Sequence, residues 1–404
     1  MSSEKAISYN KKSVTDIDVS GKKILLRCDF NVPIDKETGK IRDEGRIIAA
    51  IPTINYLLEH NAAIIACSHF GRPKGEFKPE FSLAIVAESL SKHLKKPVKM
   101  AKDVIGEDAV KLASELKPGE IMLLENTRFH AEEEKNDPAF AKKLADMADI
   151  FVSDAFGSVH RAHASTEGVS HYLPAVSGFL LKKELDYIGG AISNPKRPLV
   201  AILGGAKVSD KLGVISNLLK ISDAIIIGGG MAYTFFKAEG GKIGNSLCED
   251  DEFASVLKCK KDAKTRGVKL LLPIDSVAGS EFSNDVEPRT FNSNEIPDGM
   301  MAMDIGPKAI EEFTKEIATA GTIVWNGPMG VFEFANFAEG TKAVANAVAK
   351  SKAISIIGGG DSAAAVRKFK VEDKITHIST GGGASLEFME GKILPGIACL
   401  LDAE

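Results

Sequence analysis

Four strand-like runs in the second half of the chain end directly in glycine clusters: LVAILGGAK (Leu199 to Lys207), AIIIGGGMAY (Ala224 to Tyr233), AISIIGGGDS (Ala353 to Ser362) and THISTGGGAS (Thr376 to Ser385). A β-branched and aliphatic run followed at once by glycine reads as a buried parallel strand opening into a backbone-lined crevice. There, unsubstituted N–H groups can approach anionic oxygens. This half is built to hold phosphates.

The first half ends its strand-like runs differently. Ile24 to Asn31, Ala62 to Arg72, Ile121 to His130 and Ile150 to His163 stop in polar or cationic side chains. Arg46, Arg72, Arg128 and Arg161 sit at or near these ends, and seven of the eight histidines precede residue 172. Guanidinium forks converging from several loops on one face of a sheet suit a small, multiply charged anion better than a long polymer. Two anion sites are expected, one per half.

With 44% hydrophobic and 26% charged residues the chain can build ordinary cores, and its formal charge of -4 gives no global attraction to nucleic acid or an anionic membrane. The apolar stretches are strand-sized, well short of the roughly 20 residues that span a bilayer. Residues 1 to 20 lack the apolar core of a leader, so a cytoplasmic protein is expected. The five cysteines (Cys28, Cys67, Cys248, Cys259, Cys399) are scattered without a CxxC, which argues against a disulfide framework or zinc site. Cys28 and Cys67 read as small core residues.

At 404 residues two domains of about 150 to 200 are expected. Strand runs alternate with amphipathic segments at Arg46 to Glu59, Ser82 to Leu94, Glu107 to Leu116 and Pro138 to Met147, then at Ser209 to Leu219, Glu252 to Thr265, Lys308 to Ala320 and Glu339 to Lys350. The fold class is therefore α/β, with two doubly wound parallel-sheet (Rossmann-like) lobes. Residues 181–196, stopped by Asn194 to Pro198, read as a hinge helix between lobes at 1–180 and 197–389.

GGGDSA (Gly358 to Ala363) formally matches a degenerate dinucleotide fingerprint, but the next strand ends in Ser379 and Thr380 rather than the acidic residue a ribose needs. A dehydrogenase is therefore the lesser reading, and no GxxxxGK[ST] loop is present. Lys207 and Lys211, spaced i, i+4 after two glycines, are expected on one helix face at its N-terminus, in contact with phosphate. Asp361 is the candidate Mg²⁺ carboxylate, with an N-cap as its structural alternative. His160 and His163 find no third metal ligand at suitable spacing and no nucleophile elbow, so loop orientation or anion binding is expected of them. Trp325 is assigned to the core.

RCDFNVP (Arg27 to Pro33), SHFGRP (Ser68 to Pro73), LLENTRF (Leu123 to Phe129), DAFGSVHRAHAST (Asp154 to Thr166), GGAKVSDK (Gly204 to Lys211), GGGMAYTF (Gly228 to Phe235), WNGPMGVFE (Trp325 to Glu333), GGGDS (Gly358 to Ser362) and STGGGASLE (Ser379 to Glu387) resemble, in order, the signature segments of the phosphoglycerate kinase family. Phe70 and Phe334 stand where that family frequently has leucine and tryptophan. The resemblance implies phosphoryl transfer between 1,3-bisphosphoglycerate and MgADP, a glycerate-binding first lobe, a nucleotide-binding second lobe, and a C-terminal segment, residues 390–404, returning to the first lobe. It also implies a monomer whose partners are small-molecule substrates.

Carried over by position, Asp29, Asn31, Arg46, His69, Arg72, Arg128 and Arg161 resemble the glycerate-binding set. Lys207 and Lys211 resemble the lysines on the transferred group and the nucleotide phosphates. Gly359, Gly360, Asp361 and Ser362 resemble the phosphate and Mg²⁺ loop, Gly228, Gly229, Leu247, Asn326, Val331 and Glu333 the adenosine pocket and ribose contact, and Gly205 belongs with the nucleotide-binding set. The acyl-phosphate reaction needs no general base, so Arg46, Lys207, Lys211 and the N–H groups near Gly360 and Gly382 are the expected stabilisers of the moving phosphoryl group. Glu184 and His377 resemble the family's hinge contact. A Rossmann-type oxidoreductase and a non-catalytic nucleotide sensor are the alternative functions.

Overall fold

The computed structural model describes residues 9–403. Part of the segment assessed above for a leader, residues 1–8, lies outside the described residues. The chain divides into two compact units, one of residues 1–186 with 393–404 and the other of residues 187–392. The division falls inside a helical run comprising Phe179–Glu184, a π-turn at Leu185–Gly189, and Gly190–Ser193.

The first unit is a six-stranded parallel sheet in the order β3-β4-β2-β1-β5-β6, from β1 (Lys23–Cys28), β2 (Ala63–Cys67), β3 (Val98–Met100), β4 (Ile121–Leu123), β5 (Ile150–Asp154) and β6 (Ala175–Ser177). β1, β2, β4 and β5 are buried along nearly their whole length, which is why they read as continuous apolar runs rather than alternating ones. Ile24, Leu26, Ile64 and Val152 pack with Ile47, Ile54 and Leu57 of the helix Gly45–Glu59. Each such side chain contributes about 1.5–3 kcal/mol. Local chemistry sets the helix starts: Pro138 occupies the first turn of Pro138–Ala145, and Asp137 Oδ1 accepts from Phe140 N at 2.9 Å. The C-terminal segment belongs to this unit, with Leu401 N donating to Ala175 O at 3.0 Å and Gly396 N to Val159 O at 2.8 Å. That contact shelters Ile397 and Leu400.

The second unit holds β7 (Leu199–Leu203), β8 (Ala224–Ile227), β9 (Lys242–Ile243), β10 (Lys269–Leu271), β11 (Asp275–Gly279), β12 (Arg289–Asn292), β13 (Glu295–Ile296), β14 (Met301–Ile305), β15 (Thr322–Asn326), β16 (Ile354–Gly358) and β17 (His377–Ile378). Its main sheet, β10-β8-β7-β15-β16-β17, is parallel throughout. This is the doubly wound order that reverses direction beside the first strand. Val200, Ile202, Ile323 and Trp325 pack with Phe313, Ile317 and Val344; Trp325 is fully buried, as its core assignment required. An antiparallel sheet, β12-β11-β14, is inserted after β10. The sequence reading passed over it because β12 is polar and exposed, and the buried β11 and β14 are broken by Asp275, Ser276 and Asp304.

Candidate active site

Every strand of each main sheet is parallel, so its loops gather at one edge. In the first unit the connections leave β1 toward β2 and β5 toward β6, on opposite sides, and a crevice opens between β1 and β5. Asp29 and Asn31 follow β1, His69 and Arg72 follow β2, Arg128 follows β4, Arg161 follows β5, and Arg46 opens the helix Gly45–Glu59. Asp29 accepts from Arg46 at 2.6 and 2.7 Å. The Asn31 Oδ1 accepts from Gly71 N at 2.9 Å, and Arg128 donates to Gly71 O at 3.1 Å, so two expected ligand residues also fix the β2 loop. Arg161 Nε donates to His160 Nε2 at 3.1 Å. Arg72 is exposed and makes no hydrogen bond or ion pair among the described residues.

Electrostatics show how tightly these groups gather. Burial drives the His69 imidazole well below its ordinary range, and Arg27, Arg128, Arg46 and Arg161 add to the effect. The His163 ring is pushed down to about 4, by burial first and then by Arg128, Arg27 and Arg161. Both rings are therefore neutral near pH 7, among guanidiniums that the Asp29, Glu133 and Glu134 carboxylates offset. Arg27 was passed over as a site residue although it heads RCDFNVP, since a lone arginine inside an apolar run gives no sign of its neighbours. Glu133, fully buried, accepts from Ser165 N at 3.0 Å and from its hydroxyl at 2.5 Å. Burial raises its pKa while Arg27 draws it down.

The second unit presents backbone instead. Its crevice lies between β7 and β15, where Gly204 N donates to Asn326 O at 3.0 Å. A Cβ on Gly204 would stand 1.9 Å from Pro328 O, and one on Gly327 (φ +97) would stand 2.1 Å from Gly204 O. Only glycine permits this approach. Beside it is a cavity of about 520 Å³ whose walls include Gly205, Gly229, Leu247, Val331, Glu333 and Asp361. Gly228 is instead packed against Met329, whose Sδ a Cβ would meet at 2.5 Å. The antiparallel insertion completes the walls with Met301, Ala302, Met303 and Asp304, together with Phe282, all missed in the sequence with the insertion itself.

The structure corrects the lysine geometry. Helical turns begin only at Ser209, so Lys207 lies in the bend before them, exposed and unpaired among the described residues. Lys211 is half-buried and donates to Asn326 Oδ1. Burial lowers its pKa against the pull of Asp210 and Asp361. The Ser362 hydroxyl is buried and accepts from Gly327 N at 2.6 Å, which shapes the crevice wall from within. Asp361 is the second residue of the helix Gly360–Lys368, behind Gly359 (φ +89), with an exposed carboxylate. Gly382 (φ +50) precedes the helix Gly383–Met389, and no atom lies within 4 Å of where its Cβ would be. GGGDSA thus follows the fifth strand of the main sheet in chain order, not the first βα turn where a dinucleotide pyrophosphate would sit.

Comparison with known proteins agrees with this arrangement. The family model described as phosphoglycerate kinase matches residues 14–392. Curated phosphoglycerate kinases of Clostridium novyi (strain NT) and Clostridium tetani (strain Massachusetts / E88) are 57% and 54% identical over 399 residues, covering 98% of this chain and 100% and 99% of theirs. The structure of phosphoglycerate kinase from Coxiella burnetii superposes with a TM-score of 0.91 at 43% identity, covering 96% of this chain and 98% of that one. The enzyme from Pyrococcus horikoshii OT3 gives a TM-score of 0.77 at 33% identity over the same shares. With both sheets and both sets of strand-end loops inside the matched region, the chain belongs to the phosphoglycerate kinase family and is a phosphotransferase.

Proposed function

We propose that this chain transfers a phosphoryl group reversibly from 1,3-bisphosphoglycerate to MgADP, giving 3-phosphoglycerate and MgATP in glycolysis. The observation that supports this reading is the pairing, in one chain, of an arginine crevice with a glycine-walled cavity. The first suits a compact anion, the second a nucleotide held by backbone.

In the first unit (1–180 with 390–404 in the sequence reading), Arg46, His69, Arg72, Arg128 and Arg161, with Asp29 and Asn31, hold the glycerate. Its carboxylate is the acceptor in the reverse direction. The second unit (197–389) holds nucleotide: Gly205, Gly229, Leu247, Val331 and Glu333 line the base and ribose end, and Lys207, Lys211 and the Gly359–Gly360 backbone meet the phosphates. Gly228, Asn326 and Ser362 support that wall. Attacking and leaving oxygens are both anionic, so neutral His69 and His163 have no proton to take or give. Arg46, Lys207 and N–H groups at Gly360 and Gly382 offset charge on the moving group.

Among the described residues no three metal-binding side chains converge, whereas Asp361 offers one exposed carboxylate on the cavity wall. That donor set fits Mg²⁺, which takes one or two carboxylates with substrate phosphates and water. When bound, the ion supplies charge neutralisation on the phosphate oxygens.

We infer that the units close about the helix at 181–196 to exclude water, with Glu184 and His377 as hinge elements. The His377 ring stacks on Tyr187 at 4.9 Å and 9°. A cytoplasmic monomer with no nucleic-acid or membrane partner completes the proposal; no helix among the described residues is long and apolar enough to cross a membrane. An NADH-linked assay tests the function: oxidation should require 3-phosphoglycerate and MgATP together. Lack of turnover with both present contradicts it.

A further inference from the structure

Arg27 is 1% exposed, near the end of β1, and lies behind the crevice rather than on its surface. One terminal nitrogen donates to Cys28 O at 2.5 Å, and the other lies 3.0 Å from His69 Nδ1. A guanidinium has five N–H groups and no lone pair to accept a hydrogen bond. The contact therefore has only one polarity: Arg27 donates and Nδ1 accepts. An accepting Nδ1 carries no proton, so the proton of the neutral ring is on Nε2; an imidazolium would set N–H against N–H. This is the ring's one hydrogen bond among the described residues, which leaves Nε2–H to a ligand.

We propose that Arg27 is a positioning residue that locks His69 as the neutral Nε2–H tautomer, so that His69 meets the glycerate substrate as a hydrogen-bond donor of fixed, untitrated state. The donor role rests on the reading of the first unit as the glycerate site; the lock does not. The surroundings favour the same state. The charged groups acting on the ring are Arg27 from β1, Arg46 from the helix Gly45–Glu59, Arg128 from the turn after β4 and Arg161 from the loop after β5. All are cations, and with burial they oppose a further positive charge. The device holds one donor of the anion site at a fixed nitrogen and charge, where a free histidine would gain or lose its second proton and let the remaining one exchange between Nδ1 and Nε2.

Nitrogen NMR of the full chain carrying ¹⁵N-labelled histidine reads the tautomer directly. His69 should show a pyridine-type Nδ1 and a pyrrole-type Nε2, unchanged from about pH 8 to about pH 5, the interval in which exposed histidines titrate. A His69 that titrates in this interval, or that carries its proton on Nδ1, overturns the lock. In Arg27→Met the ring should begin to titrate or to exchange between tautomers; an unchanged spectrum overturns it equally.

Should Arg27→Met fail to fold, two substitutions of the histidine decide. The amide of His69→Gln reaches where Nε2–H stood, and that of His69→Asn only where Nδ1 stood. The KM for 3-phosphoglycerate should stay within about threefold for His69→Gln and rise about tenfold or more for His69→Asn, the loss expected for one hydrogen bond to a charged group. The reverse order overturns the proposal. Locked spectra with 3-phosphoglycerate affinity untouched by either substitution overturn the donor role and the glycerate reading of the first unit, while the lock itself stands.

Discussion

The two units use the same parallel α/β framework and open a crevice at the same topological position, yet they present opposite means of holding an anion. The first aims side chains from separate loops, and four guanidiniums act on the single ring of His69. The second withdraws side chains until backbone meets backbone at Gly204 and Gly327. A side-chain site can lose one member and keep its shape. A backbone site cannot gain one atom without moving a strand end.

Gly204→Ala should therefore give the largest effect. Its Cβ would face a carbonyl at 1.9 Å with no flexible group to yield, so unit 2 should lose about 3 kcal/mol or more and nucleotide binding with it. Calorimetry of the separate melting transitions with a nucleotide titration checks this, and wild-type binding would break the comparison. Arg46→Ala should leave nucleotide affinity unchanged and lower turnover about 10²- to 10³-fold, typical of removing one preorganised donor from a developing charge. Steady-state kinetics with nucleotide titration decide between that and a passive ion pair with Asp29. Asp361→Asn should weaken MgADP about tenfold while sparing metal-free ADP, measured by titration with and without Mg²⁺. Equal weakening would mark Asp361 as helix structure.

The contrast extends to two buried aspartates. In the first unit, burial raises the Asp154 carboxyl to about 6; in the second it raises Asp304, at the cavity wall, to about 7. A carboxyl raised above its unfolded value of about 3.9 binds its proton more tightly in the folded state. Its stabilising contribution is then full below about pH 4 and is lost as pH rises through the folded pKa. The second unit should accordingly keep losing stability up to about pH 7, the first only to about pH 6, by at most about 1.4 kcal/mol per pH unit for each group. Asp304→Asn should flatten only the second unit's profile. Melting curves across this range measure both.

The sequence exposed these two sites unequally. Arg46, Arg128 and Arg161 were legible because cationic side chains at strand ends have few other reasons to be there. Glycine runs after β7, β8 and β16 were legible for the complementary reason, that repeated glycine at a strand end marks close packing or a positive φ there. Three kinds of feature were not. Arg27 and Glu133 lie in the interior, and only three-dimensional proximity gives them partners. The antiparallel insertion that supplies Met303 and Asp304 to the cavity has no continuous apolar period to announce it. Lys207 and Lys211 have helical spacing, but the turn that would place them on one face starts two residues too late.

Peptide-resolved hydrogen exchange of the full chain, with 3-phosphoglycerate alone and with MgADP alone, tests the division of labour most directly. 3-Phosphoglycerate should protect the loops after β1, β2, β4 and β5 and leave the second unit's glycine loops unchanged. MgADP should protect the loops after β7, β8, β15 and β16 and leave the arginine loops unchanged. Protection of the arginine loops by MgADP, or of the glycine loops by 3-phosphoglycerate, would contradict two separate anion sites built on opposite principles.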